Sequence, residues 1–223
     1  MSDSRQPGLL QQTPFVLFWL ARLSATTGYH MLAVAIGWKI YELTNSALDL
    51  GLVGLIQFVP SVVLTLLIGH AADRYDRRMI VRSAQCIYVV ACLMIIGALL
   101  TGALTRELLF IVVFMIGCAR AFEMPTAHTL ASALVPTHMI ARAVAAWTTA
   151  NQTAIICGPA LGGLIYMVSP LLVALFCLVF FVTSITLISF VRVKATPVRR
   201  DPPTFASVLA GFEYVAPATA CWA

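Results

Sequence analysis

The chain has 223 residues, 61% of them hydrophobic and only 10% charged, with a formal net charge of +5. A water-soluble domain of this size cannot hide that much apolar surface, so lipid is the expected solvent. The positive charge does not collect on one face but falls between apolar runs, which argues for a bilayer and against a nucleic-acid partner.

About 20 apolar residues cross a hydrocarbon core of roughly 30 Å. Six runs qualify, near residues 15–40, 49–70, 79–101, 108–132, 143–167 and 170–192. They predict an all-α, polytopic membrane protein with six transmembrane helices. The first 13 residues are polar, and the first run is too long for a cleavable signal. The expected organisation is a cytoplasmic segment at 1–14, a six-helix bundle at 15–192 and a cytoplasmic linker at 193–223. With the N-terminus inside, the inside segments hold Arg5, Arg74, Arg77, Arg78, Arg82, Arg142, Arg192, Lys194, Arg199 and Arg200, against Lys39 and Arg106 outside. This asymmetry places both termini in the cytoplasm.

Interruptions mark where a membrane helix must face other helices or a cavity. The first run contains Arg22, Gly28 and His30, the fourth Arg120, Glu123 and Pro125. Each is the first of three helices, which suggests two inverted three-helix repeats with these helices lining a path. Arg22 lies about 10 Å into the first helix, and Glu123 about 14 Å from the same membrane face on the antiparallel fourth, at 1.5 Å per residue. The two could meet, and Arg120 and Glu123 are also neighbours at i,i+3. Two readings stay open: a proton- or substrate-linked carboxylate tuned by an arginine, or a structural ion pair. His30 is a candidate for titration near neutral pH or a hydrogen-bonded structural residue. In the fifth run Thr148, Thr149, Asn151, Gln152 and Thr153 would line a cavity or bond between helices. Trp19, Trp38, Tyr41 and Tyr166 read as interfacial anchors.

Five of the six cysteines lie inside apolar runs and none forms a C-x-x-C pair, so neither a disulfide framework nor a metal site is expected. The sequence holds no phosphate-binding G-x-x-x-x-G-K-[ST] loop, no H-E-x-x-H and no G-x-S-x-G. It reads as neither an ATPase nor a hydrolase, and no cofactor is expected.

Between the second and third runs stands Gly69-His70-Ala71-Ala72-Asp73-Arg74-Tyr75-Asp76-Arg77-Arg78. It resembles the G-x-L-A-D-R-x-G-R-[RK] loop between helices 2 and 3 of the major facilitator superfamily, with Ala71 for the Leu and Asp76 for the second Gly. Ala154-x-x-x-Gly158-Pro159-Ala160-Leu161-Gly162-Gly163 resembles the G-x-x-x-G-P-x-x-G-G signature of the superfamily's exporters, with Ala154 for the first Gly. Arg120-x-x-Glu123 is similar to a helix-4 R-x-x-Q-G pattern, departing at Glu123 and Met124. Trp38-x-x-Tyr41-x-x-Thr44, Leu50-Gly51-Leu52 and Pro60 resemble the branch that includes the enterobactin exporter.

The resemblance implies proton-coupled efflux of a small, drug- or siderophore-like molecule by alternating access, in a bacterial inner membrane. Gly69, Asp73, Arg74, Arg77 and Arg78 would form the gating loop, and Gly158, Pro159, Gly162 and Gly163 the antiporter-like motif. Arg22, His30, Arg120, Glu123, Asn151 and Gln152 are the candidates for the proton or substrate path. The superfamily carries six further helices after this point. The expected partners are therefore lipid, substrate, protons and a second six-helix half, either a copy of this chain or a C-terminal half. The alternative is a truncated, transport-inactive fragment or a six-helix accessory subunit.

Overall fold

The computed structural model describes residues 12–64, 76–134 and 139–191, the side chains of 131–133 aside. Among them are six helices and no strand: α1 (Thr13–Thr44), α2 (Ala47–Val63), α3 (Arg77–Thr101), α4 (Arg106–Ala133), α5 (Ile140–Val168) and α6 (Pro170–Phe190). Of the expected organisation, residues 1–11 and 192–223 lie outside the described residues, as do residues 65–75 of the predicted second helix and the loop that follows it.

Local chemistry sets the helix ends. Asn45 closes α1 in the left-handed conformation with φ 49°, which asparagine tolerates better than most residues, and its N–H reaches back to the Tyr41 carbonyl. The Ser46 hydroxyl then accepts from the Asp49 N–H and starts α2. Gly102 at φ 69° ends α3. The Ser169 hydroxyl accepts from Leu171 N–H at the start of α6, where Pro170 needs no hydrogen bond of its own.

Helices α3, α4 (over Arg106–Leu130) and α6 are long and apolar enough to cross a bilayer by themselves. The expectation that all six runs qualify alike is too simple. The described part of α2 has 17 residues. Helices α1 and α5, with 32 and 29 residues, dilute their apolar content with charged and hydroxyl side chains. Much of that polar content is hidden by packing: Arg22, Thr26 and Thr27 of α1 are buried among neighbouring helices. The outer surface carries large apolar side chains such as Leu55, Phe58, Val62, Leu164, Met167, Val179 and Phe190, as lipid requires.

The packing has an internal symmetry. Helix α1 runs along α5 and α6, α4 runs along α2 and α3, and α3 packs against α6. Exchanging α1–α3 for α4–α6 maps this pattern onto itself. Helices α1 and α4 meet each other only sparsely, so the seam between them depends on a few polar side chains. The main apolar core lies around Met31, Leu32, Ile36, Tyr88, Cys92, Val112, Ile116, Cys177 and Phe181, at the junction of α1, α3, α4 and α6.

Glycines set the closest approaches. A Cβ at Gly158 would stand 2.7 Å from the His30 Cβ, and one at Gly162 would stand 2.9 Å from both the Cα and the carbonyl oxygen of Met31. These two residues let α5 lie directly on the backbone of α1. The symmetry-related contact uses Gly117, whose added Cβ would stand 2.8 Å from the Gln57 carbonyl oxygen on α2. Such small-residue contacts supply close van der Waals packing where lipid provides little hydrophobic drive.

Candidate functional site

Two polar clusters cross the α1–α4 seam. The first is centred on Glu123, which is 3% exposed. Its Oε1 accepts from Arg22 Nη1 of α1 and from Gln85 Nε2 of α3 at 2.6 Å, and its Oε2 accepts from the Tyr88 hydroxyl at 2.8 Å. One carboxylate thus joins three helices. An isolated charge at this depth costs several kcal/mol on most scales, and the convergence of three donors offsets much of that cost. The guanidinium of Arg22 also lies 5.2 Å from the centre of the Trp147 ring on α5, which in turn stacks on Phe18 and meets His128 at a tilt. Arg22 Nε and Gln85 Oε1 are buried with no partner among the described residues.

The second cluster lies about two turns deeper along α1. Arg120 sits with its guanidinium carbon 3.8 Å from the centre of the Tyr29 ring. The Tyr29 hydroxyl accepts from Gln57 Nε2 of α2 at 2.7 Å. His30 meets the Tyr29 ring edge-on at 5.0 Å, and its Nε2 is buried without a partner. Among the described residues Arg120 has no carboxylate within ion-pair distance.

The sequence candidates therefore separate. The structure brings Arg22 and Glu123 together, as their matched depths suggested. It does not pair Arg120 with Glu123 despite their i,i+3 spacing. The carboxylate is taken up by α1 and α3, and Arg120 turns to the aromatic face of Tyr29. Asn151 lines a narrow cleft with Trp19, Arg22, Thr26 and Trp147, beside the first cluster. Gln152 is exposed on the outer face of α5 together with Thr148, Thr149 and Thr153. Two of those threonines satisfy their hydroxyls on their own helix, Thr149 on the Ala145 carbonyl and Thr153 on the Thr149 carbonyl.

Gly158 and Gly162 face α1, whereas Gly163 has no heavy atom near its missing Cβ. Gly163 and Pro159 line an open groove of about 740 Å³ with Trp38, Glu42 and Tyr166. Of the loop residues, Gly69, Asp73 and Arg74 lie outside the described residues. Arg77 donates to the Thr129 carbonyl of α4 at 3.5 Å, and Arg78 donates to the Val191 carbonyl just past α6. Both arginines open α3, and their side chains reach carbonyls near the carboxyl ends of α4 and α6, where a cation is favoured.

Trp38 and Tyr41 are exposed at one end of α1, as anchors would be. Trp19 corrects that expectation. It is half-buried, and its indole N–H donates to the Ala146 carbonyl of α5 at 2.9 Å, because the tight α1–α5 contact encloses it.

Gln85, Tyr88, Tyr29, Gln57 and Trp147 were not singled out from the sequence. A glutamine inside an apolar run was the available signal for Gln57 and Gln85, and Gln85-x-x-Tyr88 places two donors on one helix face.

A bundle of six helices with lipid-facing apolar surfaces, small-residue contacts and a buried charge network at its central seam defines an integral membrane protein of the polytopic transport type. The chain matches the transmembrane secretion effector family over residues 7–221 and belongs to it, within the major facilitator superfamily. It is similar to macrolide efflux protein A of Streptococcus pyogenes, with 28% identity over 159 residues, or 69% of this chain and 38% of the relative. The same protein from the serotype M6 strain matches to the same degree. The chain thus matches well under half the length of these curated relatives.

Proposed function

We propose that the chain serves proton-coupled export of a small molecule by alternating access, with Glu123 as the coupling carboxylate. The observation that carries this reading is the buried Arg22–Glu123 pair, reinforced by Gln85 and Tyr88, at a seam where α1 and α4 otherwise barely touch. While Glu123 is ionised, Arg22 ties α1 to α4. A proton on Glu123 removes that attraction and leaves Arg22 with the Trp147 face on α5 as its neighbour. The seam then has two arrangements, which a rocking transporter needs.

Both termini are cytoplasmic in this reading, in a bacterial inner membrane. The bundle rocks against a second six-helix half, with Arg77 and Arg78 anchoring the loop that carries Gly69, Asp73 and Arg74. The family and the efflux proteins it resembles support export over uptake.

The test is accumulation in efflux-deficient bacteria producing the chain. Calcein loaded as its ester, Nile red and ethidium supply an anionic, a neutral and a cationic probe. Reduced accumulation of one probe, restored by a protonophore, is the expected result. Equal accumulation of all three with and without the chain would overturn the reading.

A purely structural ion pair is the competing reading, favoured by the saturation of the Glu123 carboxylate with donors. It expects Glu123→Gln to lose folded protein and export together. Coupling expects export to be lost while the amount and helicity of protein in the membrane are retained.

A further inference from the structure

We infer that the second cluster is a subsite for an anionic group, a carboxylate or similar oxyanion carried by the transported molecule, with Arg120 as its cation. This names a substrate class and so rests on the transport reading above.

The inference follows from a charge count. The buried and half-buried residues at the seam include two guanidinium groups, Arg22 and Arg120, and one carboxylate, Glu123. Glu123 is already held by Arg22, Gln85 and Tyr88. The other titratable side chains facing these groups are Tyr29, Tyr88 and His30, and none of them is an anion at neutral pH. Among the described residues one positive charge is left over, and it belongs to Arg120.

Its position makes this unusual. Arg120 is the fifteenth of the 28 residues of α4, roughly 20 Å from either end at 1.5 Å per residue, so it cannot snorkel to either surface. The Tyr29 ring at 3.8 Å stabilises the cation on one face. It leaves the N–H edge of the guanidinium fork without an acceptor, and that edge matches a carboxylate in two-point geometry. Two further polar groups lie on Tyr29: His30, whose buried Nε2 has no partner among the described residues, and Gln57, whose amide donates to the Tyr29 hydroxyl and leaves that hydroxyl's own proton free. On the side of Tyr29 and Gln57 lies a cavity of about 80 Å³, otherwise lined by Ala33, Ile36, Val53, Val113 and Ile116, so it adjoins the ring that carries Arg120 and is not lined by Arg120 itself. The Tyr29 ring and the unpaired fork suit the carboxylate of an aromatic or aliphatic acid and disfavour a cation, which Arg120 would repel.

The test measures binding, so it does not depend on transport. The full chain in zwitterionic-lipid nanodiscs is dialysed to equilibrium against 2-naphthoate and against the size-matched cation 2-naphthylmethylammonium, with empty nanodiscs subtracted. The expected result is saturable binding of the carboxylate and none of the ammonium. Arg120→Gln should weaken carboxylate binding roughly ten- to hundredfold, the size of a lost charge-assisted hydrogen bond. Arg120→Lys, which keeps the charge but not the two-point fork, should bind the carboxylate more weakly than the unsubstituted chain and more tightly than Arg120→Gln.

Binding of the ammonium as tightly as the carboxylate would overturn the inference, and this comparison needs only the unsubstituted chain should Arg120→Gln fail to fold. Unchanged carboxylate binding in a folded Arg120→Gln chain would overturn it too. Export of ethidium but not calcein would refute the anionic subsite and leave the transport reading standing. Carboxylate binding without any export would do the reverse.

Discussion

Substituting Gly162 by alanine tests one of the tightest helix contacts among the described residues, one in which backbone meets backbone. The added Cβ would stand 2.9 Å from both the Cα and the carbonyl oxygen of Met31. Carbon contacts relax at about 3.5–4.0 Å, so α1 and α5 must separate by roughly 0.5–1 Å. No side chain can rotate to give that room, because both obstructing atoms are backbone. Overpacking of this kind costs about 1–3 kcal/mol. Gly163→Ala, one residue on, is the matched control, since nothing lies within 4 Å of its added Cβ. Both substitutions gain the same helix propensity, about 0.8–1.0 kcal/mol. That gain cancels in the comparison and leaves Gly162→Ala less stable than Gly163→Ala by about 1–3 kcal/mol. Thermal unfolding in mild detergent, followed by tryptophan fluorescence, reads the difference. Equal midpoints for the two variants would refute the α1–α5 contact as described.

Three further outcomes follow from the same geometry. Asp49 is nearly buried and pairs with Arg106 of α4 at 2.6 Å, so Asp49→Asn and Arg106→Gln should each destabilise the chain and share about 1 kcal/mol of coupling in a double-mutant cycle. Strictly additive effects would count against that tie. At the end of α1, Asn45→Val should cost about 1–2 kcal/mol because a branched side chain resists the left-handed conformation, while Asn45→Gly should be neutral, both read from thermal midpoints. On the outer face of α5, Cys157 shares a stripe with Thr149 and Thr153, whereas Cys92 and Cys177 are buried. If that polar face borders water, a membrane-impermeant maleimide should modify Cys157 and spare the other two, as read by mass spectrometry. An unmodified Cys157 would assign the face to lipid or to a partner helix.

Much of the helical layout was legible because lipid leaves few alternatives. Six apolar runs give six helices, and the matched depths of Arg22 and Glu123 anticipate their pairing. What could not be read was direction around each helix axis. The spacing of Arg120 and Glu123 offered an intrahelical pair, but three donors on α1 and α3 outcompete one neighbour on α4. Gln85 and Tyr88 escaped notice because two polar groups in a 25-residue apolar helix barely change its hydropathy. Trp19 read as an anchor because its position near a helix end says nothing of the glycine-permitted contact that encloses it. The glycines themselves carried the clearest message: Gly158 and Gly162 sit one turn apart, and one turn is the spacing that opens a groove for a neighbouring backbone.

The most direct measurement is gradient-driven flux in proteoliposomes, comparing Glu123→Gln with the unsubstituted chain for whichever probe the cells export. With Glu123 as the coupling carboxylate, an imposed pH gradient should drive probe movement only when the carboxylate is present. Probe exchange without a gradient should survive the substitution. Gradient-driven flux at the unsubstituted rate in Glu123→Gln would contradict the assignment and leave the Arg22–Glu123 pair as structural.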